Sequence, residues 1–301
     1  MLVIATEKCP WPATRASVAV PISAHFHGMD GDYLKALIVF GALLLSMPLS
    51  AAQLDLQLGA NSRIWQTEEL LKHPQVQTLT VKDDVSYKKD MTYRAVPVAA
   101  LLGGIKPEDH LQAVALDGFA AELAAAPLLN TQGSRAWLAI EDPAHPWPPL
   151  SAGKHSAGPF YLVWTDPQAG NISPEQWPFE VASIKRMAPV AERFPALLPD
   201  PALKADDPVN QGFALFQKNC LACHRLNGAG DAQFGPDLNI PYNPTEYFGA
   251  DFLKRYIRDP QSLRQWPQAK MPGFSAKVLP EEDLQMLVGY LKHMVGRKVK
   301  H

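Results

Sequence analysis

The sequence predicts two domains of different class. An α+β domain of mixed strands and short helices spans 53–190, and an all-α domain spans 208–301. Three observations lead there. The 301 residues are enough for two ordinary domains. Between Leu54 and Ala188, short apolar runs alternate or end at Gly, Pro and Asp, as strands do. From Pro208 onward, apolar residues recur at helical spacing behind capping residues.

In the first domain, "VQTLTVKD" and "AWLAIED" read as half-buried strands. "GPFYLVWTD" and "QWPFEVASI" are aromatic and β-branched, which also favours strands. "TEELLKH" and "VPVAALLGG" read as short helices, the second stopped by Gly103-Gly104. "EDPAHPWPPLSAGKHSAGP" holds too many prolines and glycines for regular structure and reads as a long loop. Residues 191–207 are punctuated by Pro195, Pro199 and Pro201 and read as a semi-rigid linker.

In the second domain, Asp207 caps a helix with Pro208 in its first turn, and Val209, Gly212, Phe213 and Phe216 share a face. Asn243-Pro244 repeats that signal. Phe252, Leu253, Tyr256 and Ile257 follow as an apolar stripe that Asp259-Pro260 stops. Pro280 opens a last helix with Glu281, Glu282 and Asp283 in its first turn, favourable against the helix dipole. Leu284, Leu287, Val288, Leu291 and Val295 form its expected buried face.

The N-terminal segment reads as a targeting signal. From Met29, a positive Lys35, an apolar run Ala36 to Met47 and the small residues Ser50-Ala51-Ala52 match a secretory signal peptide over 29–52. The apolar run is short of the ~20 residues a membrane span needs, so membrane attachment is expected only if this segment stays uncleaved. Residues 1–28 then read as an over-extended reading frame, and the expected location is the periplasm. A net charge of −2 carries no basic excess for nucleic acid.

The chemistry concentrates in "NCLACHRLNG", where Cys220, Cys223 and His224 form Cys-x-x-Cys-His. This is the c-type haem attachment signature. Two thiols add to the haem vinyl groups, and the adjacent imidazole is presented to iron as an axial ligand. A zinc half-site wants a second ligand pair, and the domain holds no further cysteine. A bare redox dithiol in an oxidising compartment needs a dedicated reductant. One covalent haem c is the expectation.

The region 208–296 resembles a class I c-type cytochrome. Gly212 and Phe216 match the small and aromatic positions of that family's first helix, and Tyr290 matches the aromatic of its last. "FGPDL" matches the Gly-Pro-x-Leu loop. The resemblance implies that the Pro236 carbonyl accepts a hydrogen bond from the second nitrogen of His224. It also implies a distal ligand at Met271, in the Met-Pro-x-Phe loop "KMPGF". Met286, Met294 and His293 on the last helix are the competitors. With both axial positions filled, no open site remains for substrate, and electron transfer is expected. Gly228, Gly230 and Gly235 let the backbone approach the haem edge. Lys254, Arg255, Arg258, Arg264 and Lys270 form a basic rim that would steer an acidic partner.

Parts of the first domain resemble the molybdopterin-binding domain of the sulfite oxidase family. The stretches are "TYRAVPVAALLGGI", "VALDGFAAELAAAPLL", "AGPFYLVWTD" and "WPFEVASI". That family ligates molybdenum through a cysteine upstream of the Val-Pro segment. Here "TVKDDVSYKKDMTYR" occupies that region, and no cysteine lies between Gln53 and Asn219. A molybdopterin cofactor is therefore not expected, and the domain reads as an accessory or docking module. Trp137, Trp147, Trp164 and Trp177 suit a packed core as well as a pocket. His145 and His155, with Glu141, Asp142 and Asp166, are a second candidate site, set against surface loop histidines.

The expected function is an exported monohaem cytochrome. It carries electrons as partner or haem subunit of a dehydrogenase or oxidase rather than acting as a catalyst. The alternatives are a periplasmic oxidoreductase whose first domain oxidises a substrate and feeds the haem, and a haem-based sensor.

Overall fold

The computed structural model describes residues 52–232, 234–263, 265 and 271–299. The expected leader, nearly all of the signal segment, and the rim residues Arg264 and Lys270 lie outside these.

Among the described residues, nine strands build two sheets in the first domain. They are β1 (Gln53–Gln57), β2 (Arg63–Gln66), β3 (Gln77–Val81), β4 (Met91–Pro97), β5 (His110–Ala115), β6 (Ala120–Ala124), β7 (Arg135–Ile140), β8 (Phe160–Thr165) and β9 (Val181–Met187). One sheet has the order β2-β1-β9-β5-β6 and the other β3-β4-β7-β8. All pairings are antiparallel except β1 with β9. β8 is buried along Phe160 to Trp164, and β7 along Ala136 to Ile140. Continuous burial means that the sheet is covered on both faces along β7 and β8, whereas β3 and the start of β4 keep exposed positions. The "AWLAIED" strand, expected to be half-buried, is therefore buried on both faces. The tryptophans settle into this packing: Trp137, Trp164 and Trp177 belong to the core, and Trp147 packs against it.

The "TVKDDVSYKKDMTYR" segment turns Asp84 inward until it is fully buried. Its carboxylate accepts bonds from the Ser86 and Tyr87 amides, each 2.9 Å, and from the Tyr93 and Tyr161 hydroxyls at 2.9 and 3.2 Å. Burial and the Asp84 charge push both phenols far above their ordinary range. The carboxylate's lone pairs are thus occupied by local donors, which is how a buried charge is tolerated. The segment offers no thiolate, so it does not fit a thiolate-held molybdenum.

The second domain is framed by helices α1 (Pro208–Asn219), α2 (Ala250–Arg258) and α3 (Glu281–Val295). Asp207 caps α1, accepting from the Val209 amide at 2.9 Å. Asn243 caps only a single turn, Pro244–Tyr247, and the chain re-enters helix at Ala250. The single helix expected there breaks at Phe248-Gly249, where the backbone turns extended. α1 and α3 cross at Gly212. A Cβ there would overlap the Met286 carbonyl and lie 2.7 Å from Tyr290 Cβ. Phe216 packs beside Tyr290 at 5.4 Å between ring centroids. The seam of α3 runs through Leu284, Leu287, Leu291 and Met294, with Tyr290 beside it. Val288 and Val295 are only half-buried, because the close crossing draws the Tyr290 edge inward.

Residues 191–207 act as a strap rather than a spacer. Val190 and Leu197 are buried in the helical core. Tyr290 donates its hydroxyl to the Leu197 carbonyl at 2.6 Å, and Arg297 Nε reaches the Leu198 carbonyl at 3.2 Å. Both domains and this strap fall in one compact unit, Ala51–His301.

Replacing Gly212 with Ala forces a methyl into the backbone of α3. Overpacking of this kind costs about 1–3 kcal/mol. Urea unfolding followed by circular dichroism is expected to show a lowered midpoint with an unchanged slope.

Candidate functional site

The end of α1 sets the geometry of Cys-x-x-Cys-His. The Cys223 amide donates to the Cys220 carbonyl at 3.1 Å, and the His224 amide to the same oxygen at 2.8 Å. This turn presents two free, half-buried thiols and the imidazole within five residues. Leu221 and Ala222 between them are buried and anchor the turn.

The imidazole is fixed on two sides. Nδ1 lies 2.9 Å from the Pro236 carbonyl oxygen. A carbonyl only accepts, so Nδ1 carries the proton and Nε2 keeps its lone pair. Gly235 lies against the ring, and a Cβ there would overlap it. The Gly235 amide donates to the Cys223 carbonyl at 2.7 Å, tying the loop back to the turn. Burial holds the His224 pKa below its ordinary value, despite the Pro236 bond. The ring is therefore neutral at pH 7, with Nε2 available to a metal.

Burial pushes the Cys220 thiol well above its usual range, and Cys223 up to about 11, with the Glu175 charge adding to both. Reactive dithiols need the opposite change, toward thiolate. Among the described residues no three His, Cys, Asp or Glu side chains converge on one point. Cys220, Cys223 and His224 therefore do not form an ion cage. Two free thiols on one turn, with a neutral imidazole whose Nε2 is uncommitted, fit a haem held by two thioethers and one nitrogen.

Met271 is half-buried and packs against the helical core. Its loop is pinned from α2: Arg258 donates to the carbonyls of Phe274, at 3.1 Å, and Leu279. The Phe274 amide donates to the Ile257 carbonyl at 3.0 Å. Two of the three competitors are engaged elsewhere. Met294 is fully buried in the core, and His293 Nε2 accepts from the Asp200 amide at 3.0 Å. Met286 lies half-buried on α3, where its carbonyl faces Gly212.

Of the three described residues of the basic rim, two are paired internally. Lys254 and Arg258 each lie 3.2 Å from Glu281, which leaves Arg255 exposed. The loop histidines do not assemble a site. His145 is 85% exposed and lies 3.3 Å from Asp142. His155 is exposed, and Glu141 is occupied by the Trp147 amide and the Ser156 hydroxyl at 2.7 and 3.0 Å.

Other residues around the site gave no sequence signal of their packing, although Asn243 reads as a helix cap. Asn227, Asn239 and Asn243 form a buried ladder. Asn239 donates to Asn227 Oδ1 at 2.8 Å and to the Met294 carbonyl at 2.7 Å. Asn243 donates to Asn239 Oδ1 at 2.9 Å and to the Leu291 carbonyl at 2.8 Å. The ladder fastens the histidine-bearing loop to the end of α3. From the first domain, Glu175 reaches the attachment turn. It is 7% exposed, and its Oε2 has no hydrogen-bond partner. Burial raises its pKa to about 7. Lys218 donates to the Asn171 carbonyl at 2.6 Å, joining α1 to the same region.

A family model described as Cytochrome c matches residues 209–294, the span that holds the turn, the Pro236 loop and Met271. No curated protein matches the chain significantly. Residues 209–294 thus form a cytochrome c domain, which supports a role in haem electron transfer. The sheet-rich region before it lies outside the match.

Glu175 gives a pH prediction. Its folded pKa lies above the unfolded value, so the native state holds the extra proton between pH 4.5 and about 7. Stability then falls as pH rises through that window, by at most roughly 1.4 kcal/mol for each pH unit crossed. Glu175→Gln is expected to match the parent near pH 4.5 and to exceed it above pH 7. Urea unfolding across that range measures the gap.

Proposed function

We propose that this chain is an exported monohaem c-type cytochrome that carries electrons through a His224/Met271-ligated haem for a redox protein partner. The observation that carries the reading is the committed Nδ1 of His224, which leaves Nε2 free beside two free thiols. A bound haem supplies a one-electron Fe(III)/Fe(II) couple. Cys220 and Cys223 fix its edge covalently. Pro236 and Gly235 hold the His224 ring in one orientation and one tautomer. Met271, on a loop pinned by Arg258, supplies a soft thioether that favours the reduced state and raises the potential. With His224 and Met271 both holding the iron, no position would remain for substrate, which favours electron transfer over catalysis or gas sensing.

The first domain serves this reading as an accessory module. Its likeness to the sulfite oxidase family rests on sequence stretches alone, and the segment that corresponds to the molybdenum-ligand region holds Asp84 and no cysteine. The partner is a dehydrogenase or oxidase in the periplasm, reached through the signal segment at 29–52. A metal and pterin inventory of protein purified from the periplasm is expected to return iron alone. Molybdenum with pterin would replace this reading with the oxidoreductase.

The distal ligand is tested by Met271→Ala. The parent is expected to show the thioether-to-iron absorption band in the oxidised state. The variant loses it and binds added cyanide at least about tenfold faster, since one axial position has opened. An unchanged band moves the ligand elsewhere.

A further inference from the structure

The loop that orients His224 is gripped from outside its own domain. Asp231 lies five residues before Pro236. Its Oδ2 accepts from Gln112 Nε2 on β5 at 2.7 Å and from Arg193 NH1 on the strap at 2.7 Å. The same two donors turn back to Glu122 Oε1 on β6, Arg193 NH2 at 2.6 Å and Gln112 Nε2 at 2.7 Å. His110 on β5 closes the group on Glu122 Oε2. Three residues past Asp231, the Phe234 ring lies 6.4 Å from Phe119, which sits between β5 and β6. Gly235 and Pro236 follow at once, and these two touch the imidazole.

The strength of the grip follows from burial. Surface ion pairs contribute little. Here the Arg193 side chain is 13% exposed and the Glu122 side chain 4%, so that anchor is buried, while Asp231, which carries the grip to the loop, is 43% exposed. Arg193 spans two carboxylates with separate nitrogens, and a guanidinium fork is suited to that bridging. Gln112 is 5% exposed and shares both acceptors. Removing one member leaves a buried charge or amide without its partner, which costs more than the bond itself.

We propose that the first domain is a clamp on the loop that orients His224, with Arg193, Gln112 and Phe119 as its positioning residues. The redox consequence of the clamp rests on the haem reading, but the clamp itself does not. A loosened loop weakens the bond from His224 Nδ1–H to the Pro236 carbonyl. The imidazole then becomes a less basic ligand, the oxidised iron is stabilised less, and the potential rises. The first domain thus sets the potential of a haem it does not bind.

The test uses the full-length haem-loaded protein and four variants: Arg193→Ala, Arg193→Lys, Gln112→Ala and Phe119→Ala. Arg186→Ala is the control, because Arg186 pairs with Asp109 in the same domain and bonds neither Asp231 nor Glu122. Two quantities are read: the midpoint potential and the exchange rate of the Gly235 amide, which donates to Cys223. Arg193→Ala and Gln112→Ala are expected to raise the potential and to speed Gly235 exchange about tenfold, the scale of one lost charge-assisted hydrogen bond. Phe119→Ala moves both in the same direction, Arg193→Lys recovers part of the loss, and Arg186→Ala changes neither. If Arg193→Ala fails to fold, Gln112→Ala and Phe119→Ala carry the test. Parent values for both quantities in these variants, at full haem content, overturn the clamp. A parent that carries no haem overturns the functional reading instead, and Gly235 exchange still reports on the clamp.

Discussion

The hydrogen bond between His224 and the Pro236 carbonyl is the constraint on which the rest of this structure turns. It commits one imidazole nitrogen and so releases the other. Holding it demands a loop that approaches the ring more closely than any side chain permits, which is why Gly235 lies against it. That loop must in turn be fixed. The Asn227, Asn239 and Asn243 ladder does so from α3, and Asp237 does so locally by accepting the Asn227, Gly228, Asn239 and Ile240 amides. α3 is fixed against α1 by the Gly212 crossing, and α1 ends in the cysteine turn. The helical domain is therefore a closed circuit of contacts that begins and ends at one imidazole.

The first domain joins that circuit at two places. The strap carries Leu197 into the helical core and Arg193 onto Asp231. The Pro174–Gln176 turn brings Glu175 to the attachment turn, where its charge is felt by both cysteines. A domain with no thiolate for molybdenum still has a physical task here, because it covers and braces the face of the cytochrome domain that carries the attachment turn. The buried Glu175 oxygen without a partner marks a local cost accepted at that contact.

Much of the site was legible because its signals are local. Cys-x-x-Cys-His carries its chemistry in its spacing, while the Gly-Pro-x-Leu and Met-Pro-x-Phe loops were legible only through the resemblance to c-type cytochromes. Only β3, β7, β8 and β9 were legible as strands, from local aromatic, β-branched and apolar runs, and the burial of β7 on both faces was not. What stayed hidden was long-range or satisfied by polar groups. Nothing near Asn239 reveals that its partners are Asn227 and the Met294 carbonyl. Residues 191–207 read as a linker because proline breaks regular structure, yet proline says nothing about whether Leu197 is buried. Gln112 and Arg193 lie far in sequence from Asp231 and have no common pattern. The break at Phe248-Gly249 was hidden because the Asn243-Pro244 cap and the apolar stripe from Phe252 read as one continuous helix.

The most direct measurement is the intact mass of the full-length protein produced in cells that mature c-type haem, taken before and after extraction with acidified acetone. One species is predicted, the processed polypeptide plus a single haem, with a mass that extraction leaves unchanged. A bare polypeptide mass, or one lowered by the two hydrogens of a Cys220–Cys223 disulfide, would contradict the haem attachment on which everything above depends.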